Sequence, residues 1–270
     1  MTSPQLFPAL LKYWRAHRGL SQLDLAVQAE VTPRHVSFLE SGRAKPSESM
    51  VLRLFATLRV PLRDQNEALR AAGFSARFEA PPVDALGPEI EAALLQMMAQ
   101  HEPFPLTVVG IDGAILRSNR AAQRVFGAFL AEPQALPTPL DMVTLLFDPR
   151  LMRPFVRDWN ELAQAMVSRL HREHLERGDA RIAQCLAHAL SFPGVPAAWR
   201  IPDFALPVVP AMTVRLARDA MQAAFLVTTT SFSAPQQITL EELRIESCFP
   251  LDDATRALCH QLAAQADMQP

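Results

Sequence analysis

Apolar residues recur at helical spacing through the first seventy-five or so positions. Leu10, Leu11 and Trp14 form a stripe on a helix over 8–17, closed by Gly19. Two short helices follow within 21–43. Ser21 and Thr32 are their expected caps, Pro33 falls at a first helical position, and Gly42 ends the second. Leu23, Ala26 and Val27 predict the buried face of the first, and Val36 and Leu39 that of the second. Met50, Val51, Leu54, Phe55 and Leu58 mark a fourth helix, and a fifth runs from Pro61 to Gly73. The period then lapses across 76–88, where Pro81, Pro82, Gly87 and Pro88 read as a linker. Beyond it, a helix near 90–98 leads to an apolar run at 105–111. Asp112-Gly113 is a turn signal, 114–117 returns as a strand, and Asn119 caps a helix over 120–130. Helices are expected near 142–147, 154–177 and 179–192, strands at 211–218, 224–232 and 239–246, and a last helix over 253–266 capped by Asp252. The fold class expected is an all-α five-helix domain (1–75), a linker (76–88) and an α+β domain (89–270) with a five-stranded antiparallel sheet and helices.

The second short helix matters for what it leaves outside. With Val36 and Leu39 buried, Pro33, Arg34, Ser37 and Phe38 face outward near its N-terminal half, where a recognition helix meets base edges. Arg34 has the geometry to pair with guanine O6 and N7, and Pro33 or Phe38 to touch a thymine methyl. Gln22, Thr32, Ser41 and Arg43 flank this face and suit phosphate contacts. An ordinary helical hairpin with a solvated face is the alternative, and the ordered caps, the small Ala26 and the Gly42-Arg43 ending argue against it. The run Gln22-x-x-Leu25-Ala26 … Val36-Ser37-x-Leu39-Glu40-x-Gly42-Arg43-x-x-Pro46-Ser47 resembles the Xre family of helix-turn-helix repressors. It departs from that family at Glu30, where a glycine is usual; positive φ there costs a non-glycine residue about 1 kcal/mol.

Charge divides the chain where the pattern does. Residues 1–79 hold 11 Lys and Arg against 7 Asp and Glu, a net +4, while 80–270 hold 15 against 21, a net −6. A basic head on an acidic body fits a nucleic-acid-binding domain joined to a domain that is not one. No apolar run is long enough to span a membrane and the start lacks a signal-peptide pattern, so the expected location is cytoplasmic with no membrane partner. Cys185, Cys248 and Cys259 are widely spaced and read as small buried hydrophobes. His171 and His174 lie on one helical face but lack a third ligand, so no metal is expected. No glycine-rich phosphate loop, nucleophile elbow or paired-cysteine motif occurs, so no catalytic residue and no cofactor is assigned.

The order of two strands, several helices and three strands is that of a PAS-like domain, which holds a ligand between sheet and helices. Pro105-x-x-Val108 … Ser118-Asn119-x-Ala121-Ala122, Leu146-Phe147-Asp148-Pro149 … Asp158-Trp159, Thr228-Thr229-Thr230-x-Phe232-x-x-Pro235-Gln236 and 239–250 resemble the ligand-binding domain of MmyB-like transcription regulators. The resemblance spans 90–266 and implies a pocket that takes a fatty acid as effector. Leu145, Phe147, Phe155, Trp159, Leu162, Met166, Phe225 and Val227 are the candidate lining, with simple core packing as the competing account of each. Arg153 and Arg157 are candidates for a ligand carboxylate. The expected function is a transcription regulator that binds a double-stranded DNA operator as a homodimer and senses a small apolar ligand. The alternative is a DNA-tethered adaptor whose second domain binds a protein partner without a ligand.

Overall fold

Side-chain caps set where the helices of the N-terminal region begin. In the computed structural model, which describes residues 6–205, 211–233 and 235–267, five helices follow one another: α1 (Leu6–His17), α2 (Gln22–Gln28), α3 (Pro33–Glu40), α4 (Glu48–Thr57) and α5 (Leu62–Ala71). Ser21 Oγ accepts from Asp24 N–H at 3.1 Å and Asp24 Oδ2 accepts from Ser21 N–H at 2.9 Å, a reciprocal capping box. That bonding holds the Asp24 carboxyl below its usual range. Thr32 and Ser47 cap α3 and α4 by accepting from His35 and Met50 N–H, without the return bond. Glu30 sits at φ 54° in the turn between α2 and α3, the left-handed conformation expected of it. Leu11, Leu25, Val36, Leu39, Leu54 and Phe55 are wholly buried at the centre of this bundle.

The face of α2 differs from the expected one. Leu25, Ala26 and Ala29 are buried, whereas Leu23 and Val27 are 59% and 69% exposed. Both sets are apolar and both fit a helical period, so composition could not choose between them; the packing of α2 on α3 and α4 does.

After α6 (Pro88–Gln100) comes one antiparallel sheet of β1 (Leu106–Val109), β2 (Ile115–Ser118), β3 (Val156–Arg157), β4 (Met212–Arg218), β5 (Met221–Thr230) and β6 (Arg244–Pro250). Their spatial order is β2-β1-β6-β5-β4-β3. The sixth strand is the two-residue β3, which pairs with the edge of β4 inside a stretch where only helix was expected. Interleaved are α7 (Arg120–Ala128), α8 (Met142–Phe147), α9 (Trp159–Arg177), α10 (Ala180–Ser191), α11 (Ile238–Glu242) and α12 (Asp253–Asp267). The strand expected over 239–246 divides: its first half is α11 and its second half opens β6. Leu240 and Leu243 are three apart, a spacing a helical turn satisfies as well as a strand does.

The chain forms two units, Met1–Pro82 with Ala234–Glu241, and Val83–Ser233 with Glu242–Pro270. The first thus runs past the expected boundary at 75. Asn66 on α5 explains why: its Oδ1 accepts from Arg77 and Phe78 N–H at 2.9 and 3.0 Å, and its Nδ2 donates to Phe78 O at 2.7 Å. The start of the expected linker is thereby fastened to the helix before it. The segment 234–241, expected in the C-terminal domain, belongs to this first unit as well.

Candidate DNA-reading surface and ligand cavity

The outer side of α3 gathers most of the residues singled out in the first unit. Pro33 and Arg34 are exposed, Ser37 and Phe38 half-buried, and Ser41 and Arg43 exposed just beyond. The Arg34 guanidinium lies 5.1 Å from the centre of the Phe38 ring and that of Arg43 lies 6.0 Å from it, so one ring carries two cations. Thr32 Oγ1 accepts from His35 N–H at 3.2 Å as the helix cap, and Ser41 Oγ donates to Phe38 O at 3.3 Å. Gln22 is engaged elsewhere: its Nε2 donates to Glu40 Oε2 at 2.7 Å. Glu40 also takes both arms of Arg15, at 2.6 and 3.0 Å, which raises the Arg15 pKa through that hydrogen bond. Arg15 then donates to Leu20 O at 2.7 Å. This cluster locks the C-terminal end of α3 to α1 and to the start of α2, and so sets the attitude of the outward face. Nothing in the sequence marked it, since Arg15 and Glu40 are 25 positions apart.

In the second unit, Leu216, Ala223, Phe225, Val227 and Cys248 alternate onto the sheet face that meets α8, α9 and α10. An apolar cavity of about 40 Å³ lies there. It is lined by Leu145, Leu162, Phe225 and Val227 from the expected set, and also by Met142, Met152 and Met212. It has room for no more than a few water molecules; an acyl chain enters only if side chains move. Three of those side chains are methionines, the unbranched residues that repack at least cost.

Three expected lining residues pack elsewhere, two of them in an aromatic cluster. Phe147 packs edge-on against Trp159, ring centres 5.5 Å apart, and tilts on Phe192 at 6.0 Å. Trp159 Nε1 donates to Leu146 O at 2.8 Å. Phe155 lies under the Arg218 guanidinium at 4.8 Å. Met166 lines a second space of about 30 Å³, which shares Met142 and Glu246 with the first.

That second space is charged. Glu246, only 5% exposed, faces Arg169 at 3.6 Å, and Arg244 faces Glu173 at 3.7 Å. Burial lowers the Arg244 pKa against the opposing pull of Glu173. Arg169 Nε is buried without a hydrogen-bond acceptor among the described residues. Burial pushes the neighbouring Cys185 thiol up to about 12, so it stays protonated and unreactive. A partly buried pair at these separations recovers only part of the cost of removing its charges from water. The two spaces together offer an apolar slot that ends at an under-bonded guanidinium.

The residues expected to hold a carboxylate lie away from this place. Arg153 stacks on Trp159 at 3.7 Å and donates to the carbonyls of Phe147 and Pro193, and burial lowers its pKa. Arg157 pairs with Arg215 on the opposite face of the sheet, where both border an outer cleft of about 320 Å³. Strand alternation decides the second case, because Val156 takes the inward position beside Leu216. Arg169, Arg244 and Glu246, the charges that line this space, are not among the residues singled out from the sequence. Glu246 had one legible signal, a charge amid the apolar run of a strand.

Residues 90–262 match the sequence profile described as MmyB-like transcription regulator ligand binding domain, and residues 11–65 match a helix-turn-helix profile. The chain has no match among curated proteins. Of solved structures, "Structure of an RNA-binding Light-Oxygen-Voltage Receptor" aligns at 13% identity and a TM-score of 0.28, over 98% of this chain and 64% of that one. The chain thus spans about 64% of that receptor's length.

Proposed function

From a chain that belongs to the family of MmyB-like transcription regulators, we propose a DNA-binding regulator whose second unit senses an amphipathic molecule such as a fatty acid. The α3 face reads an operator duplex: Arg34 reaches a base edge, and Arg43 steadies the phosphate backbone. The ligand's apolar chain enters the slot between the sheet and α8–α9, and its polar head meets Arg169 and Arg244. The observation that carries this reading is the junction at Met142 and Glu246 of an apolar cavity with a buried charged one, where Arg169 Nε has no acceptor among the described residues. The role is binding, not catalysis, in keeping with a cytoplasmic regulator that shifts between two states.

A second reading draws on the small volume of the apolar cavity, about 40 Å³. The domain is then a packed platform for a protein partner, held at DNA by the first unit. One experiment separates the two. Delipidated full-length protein is titrated with saturated fatty acids of graded length while thermal unfolding is followed. A ligand at a hundredfold excess over its dissociation constant stabilises by about 2.7 kcal/mol, which appears as a rise of several degrees in the second unit's transition. Met142→Trp, which fills the junction of the two spaces, abolishes that rise and leaves the first unit's transition in place. No rise with any chain length, together with lipid-free protein as purified, rejects the sensor in favour of the adaptor.

A further inference from the structure

Two adjacent carboxylates before β6 serve different units. Glu241 Oε2 accepts from Leu62 N–H, the first amide of α5, at 2.9 Å. Pro61 precedes that amide and has no side-chain acceptor to offer, so Glu241 supplies the helix cap from 179 positions away. The rest of the segment is fixed to the same unit. Ile238 N–H donates to Glu79 O at 2.8 Å, Thr239 Oγ1 donates to Pro81 O, and Ile238 and Leu240 are buried. The next residue, Glu242, instead takes both arms of Arg181 on α10 at 2.8 and 2.6 Å, and Arg181 also holds Asp179 at 2.6 Å. Arg244 and Glu246 then line the charged space. Six successive residues thus run from a buried carboxylate beside the ligand cavity to the cap of a helix in the other unit. Four of the six are charged: Glu241 is held by α5, Glu242 by α10, and Arg244 and Glu246 both face α9.

We propose that residues 241–246 are the relay by which the cavity acts on the DNA-reading unit. The relay rests on the ligand reading above. A polar head that recruits Arg169 or Arg244 changes what Glu246 and Glu173 face, and β6 answers by shifting along its axis. Within this stretch Arg244 to Glu246 is extended strand, whose length per residue is nearly fixed, and Leu243 joins it directly to Glu241 and Glu242 in the last turn of α11, so a displacement of β6 reaches Glu241 over a short path. Glu241 is the two-state element at the far end: its carboxylate either caps α5 or does not. Helix α5 packs on α1 and α4, and α1 packs on α3, so a loosened first turn of α5 bears on the recognition helix. Coupling of this kind commonly changes affinity by about fivefold to 150-fold.

Hydrogen exchange of the full-length chain tests this without a known operator. Glu241→Ala is expected to speed exchange at the first turn of α5 roughly fivefold, the loss of one helix cap, and Glu241→Gln, which keeps an acceptor, to restore most of the protection. Glu246→Gln, remote from α5, is expected to speed the same amides; in the Glu241→Ala background it adds nothing. If Glu246→Gln does not fold, Arg244→Lys takes its place. The relay is overturned if the cavity variant leaves α5 exchange unchanged, or if its effect persists in full without Glu241. Laurate serves as the probe ligand in a second arm, expected to alter α5 exchange in the native chain and not in Glu241→Ala. Laurate that fails to bind counts against the ligand reading, while the Glu246–Glu241 cycle still decides the relay.

Discussion

Phe38 is the residue around which the outer face of α3 is arranged, because it orders two guanidiniums without neutralising them. Arg34 and Arg43 lie 5.1 and 6.0 Å from its ring centre, and neither forms an ion pair among the described residues. Their full charge therefore remains for an anionic partner. Their positions differ: Arg34 stands in the first turn of α3, and Arg43 follows its C-terminal end. Replacing Arg34 with alanine is expected to cost about 1–3 kcal/mol on a selected duplex and to relax preference at one base pair. Arg43→Ala is expected to weaken all duplexes about equally and to lower the slope of log affinity against log salt by roughly one. Competition binding against random DNA checks the first, and a salt titration the second. A ratio of selected to random affinity unmoved by Arg34→Ala removes that assignment. Arginines in the second unit show the converse. Arg153 and Arg169 are alike in the sequence, yet packing gives one an aromatic face and carbonyls, and leaves the other's Nε without an acceptor.

Among the elements, α7 shows how one capping residue joins several parts. Asn119 is 4% exposed. Its Oδ1 accepts from Ala122 N–H at 2.9 Å, capping α7, and from Leu106 N–H at 3.0 Å at the start of β1. Its Nδ2 donates to Phe104 O at 2.8 Å. The hairpin β1–β2 and the helix after it are thus registered through a single carboxamide. Asn119→Ala removes a cap worth about 1 kcal/mol and strands buried polar groups at about 1–3 kcal/mol. A loss of roughly 2–4 kcal/mol in the second unit is expected, read by urea unfolding with the first unit's transition as internal control. A loss below 1 kcal/mol sinks the joining role. The cap itself was legible from Asn119 before a helical run; the bonds to Leu106 and Phe104 were not, because they depend on where β1 starts.

At the scale of the whole molecule, residues 1–79 carry a net +4 and residues 80–270 a net −6. A head with so small an excess makes few phosphate contacts, and its affinity as a single copy is correspondingly low. A two-fold dimer reading half-sites about one helical turn apart is therefore expected. Light scattering of the full-length chain, free and with saturating duplex, is the check, and a monomer in both conditions defeats the expectation. No helix among the described residues is long and apolar enough to cross a membrane.

Local signals settled the number and order of helices in the first unit, their caps at Ser21, Thr32 and Ser47, the outward position of Pro33 and Arg34, and the antiparallel α+β character of the second unit. Each of these depends on a few neighbouring residues and one hydrophobic period. Tertiary structure alone decided which apolar stripe of α2 is buried, because Leu23–Val27 and Leu25–Ala29 are equivalent until α3 and α4 are in place. It alone converted Ile238–Glu242 to helix, where Leu62 N–H and Glu79 O supply partners that a strand would have found elsewhere. It also placed Arg153 against Trp159 and Arg157 on the outer face of the sheet, and put Arg169, Arg244 and Glu246 beside the apolar cavity. Those three stand on one helix and one strand up to 77 positions apart, and only the register of β6 on β1 and β5 turns Arg244 and Glu246 toward α9. A charge declares itself in sequence; its partner is chosen by the fold, since pairing follows distance in space.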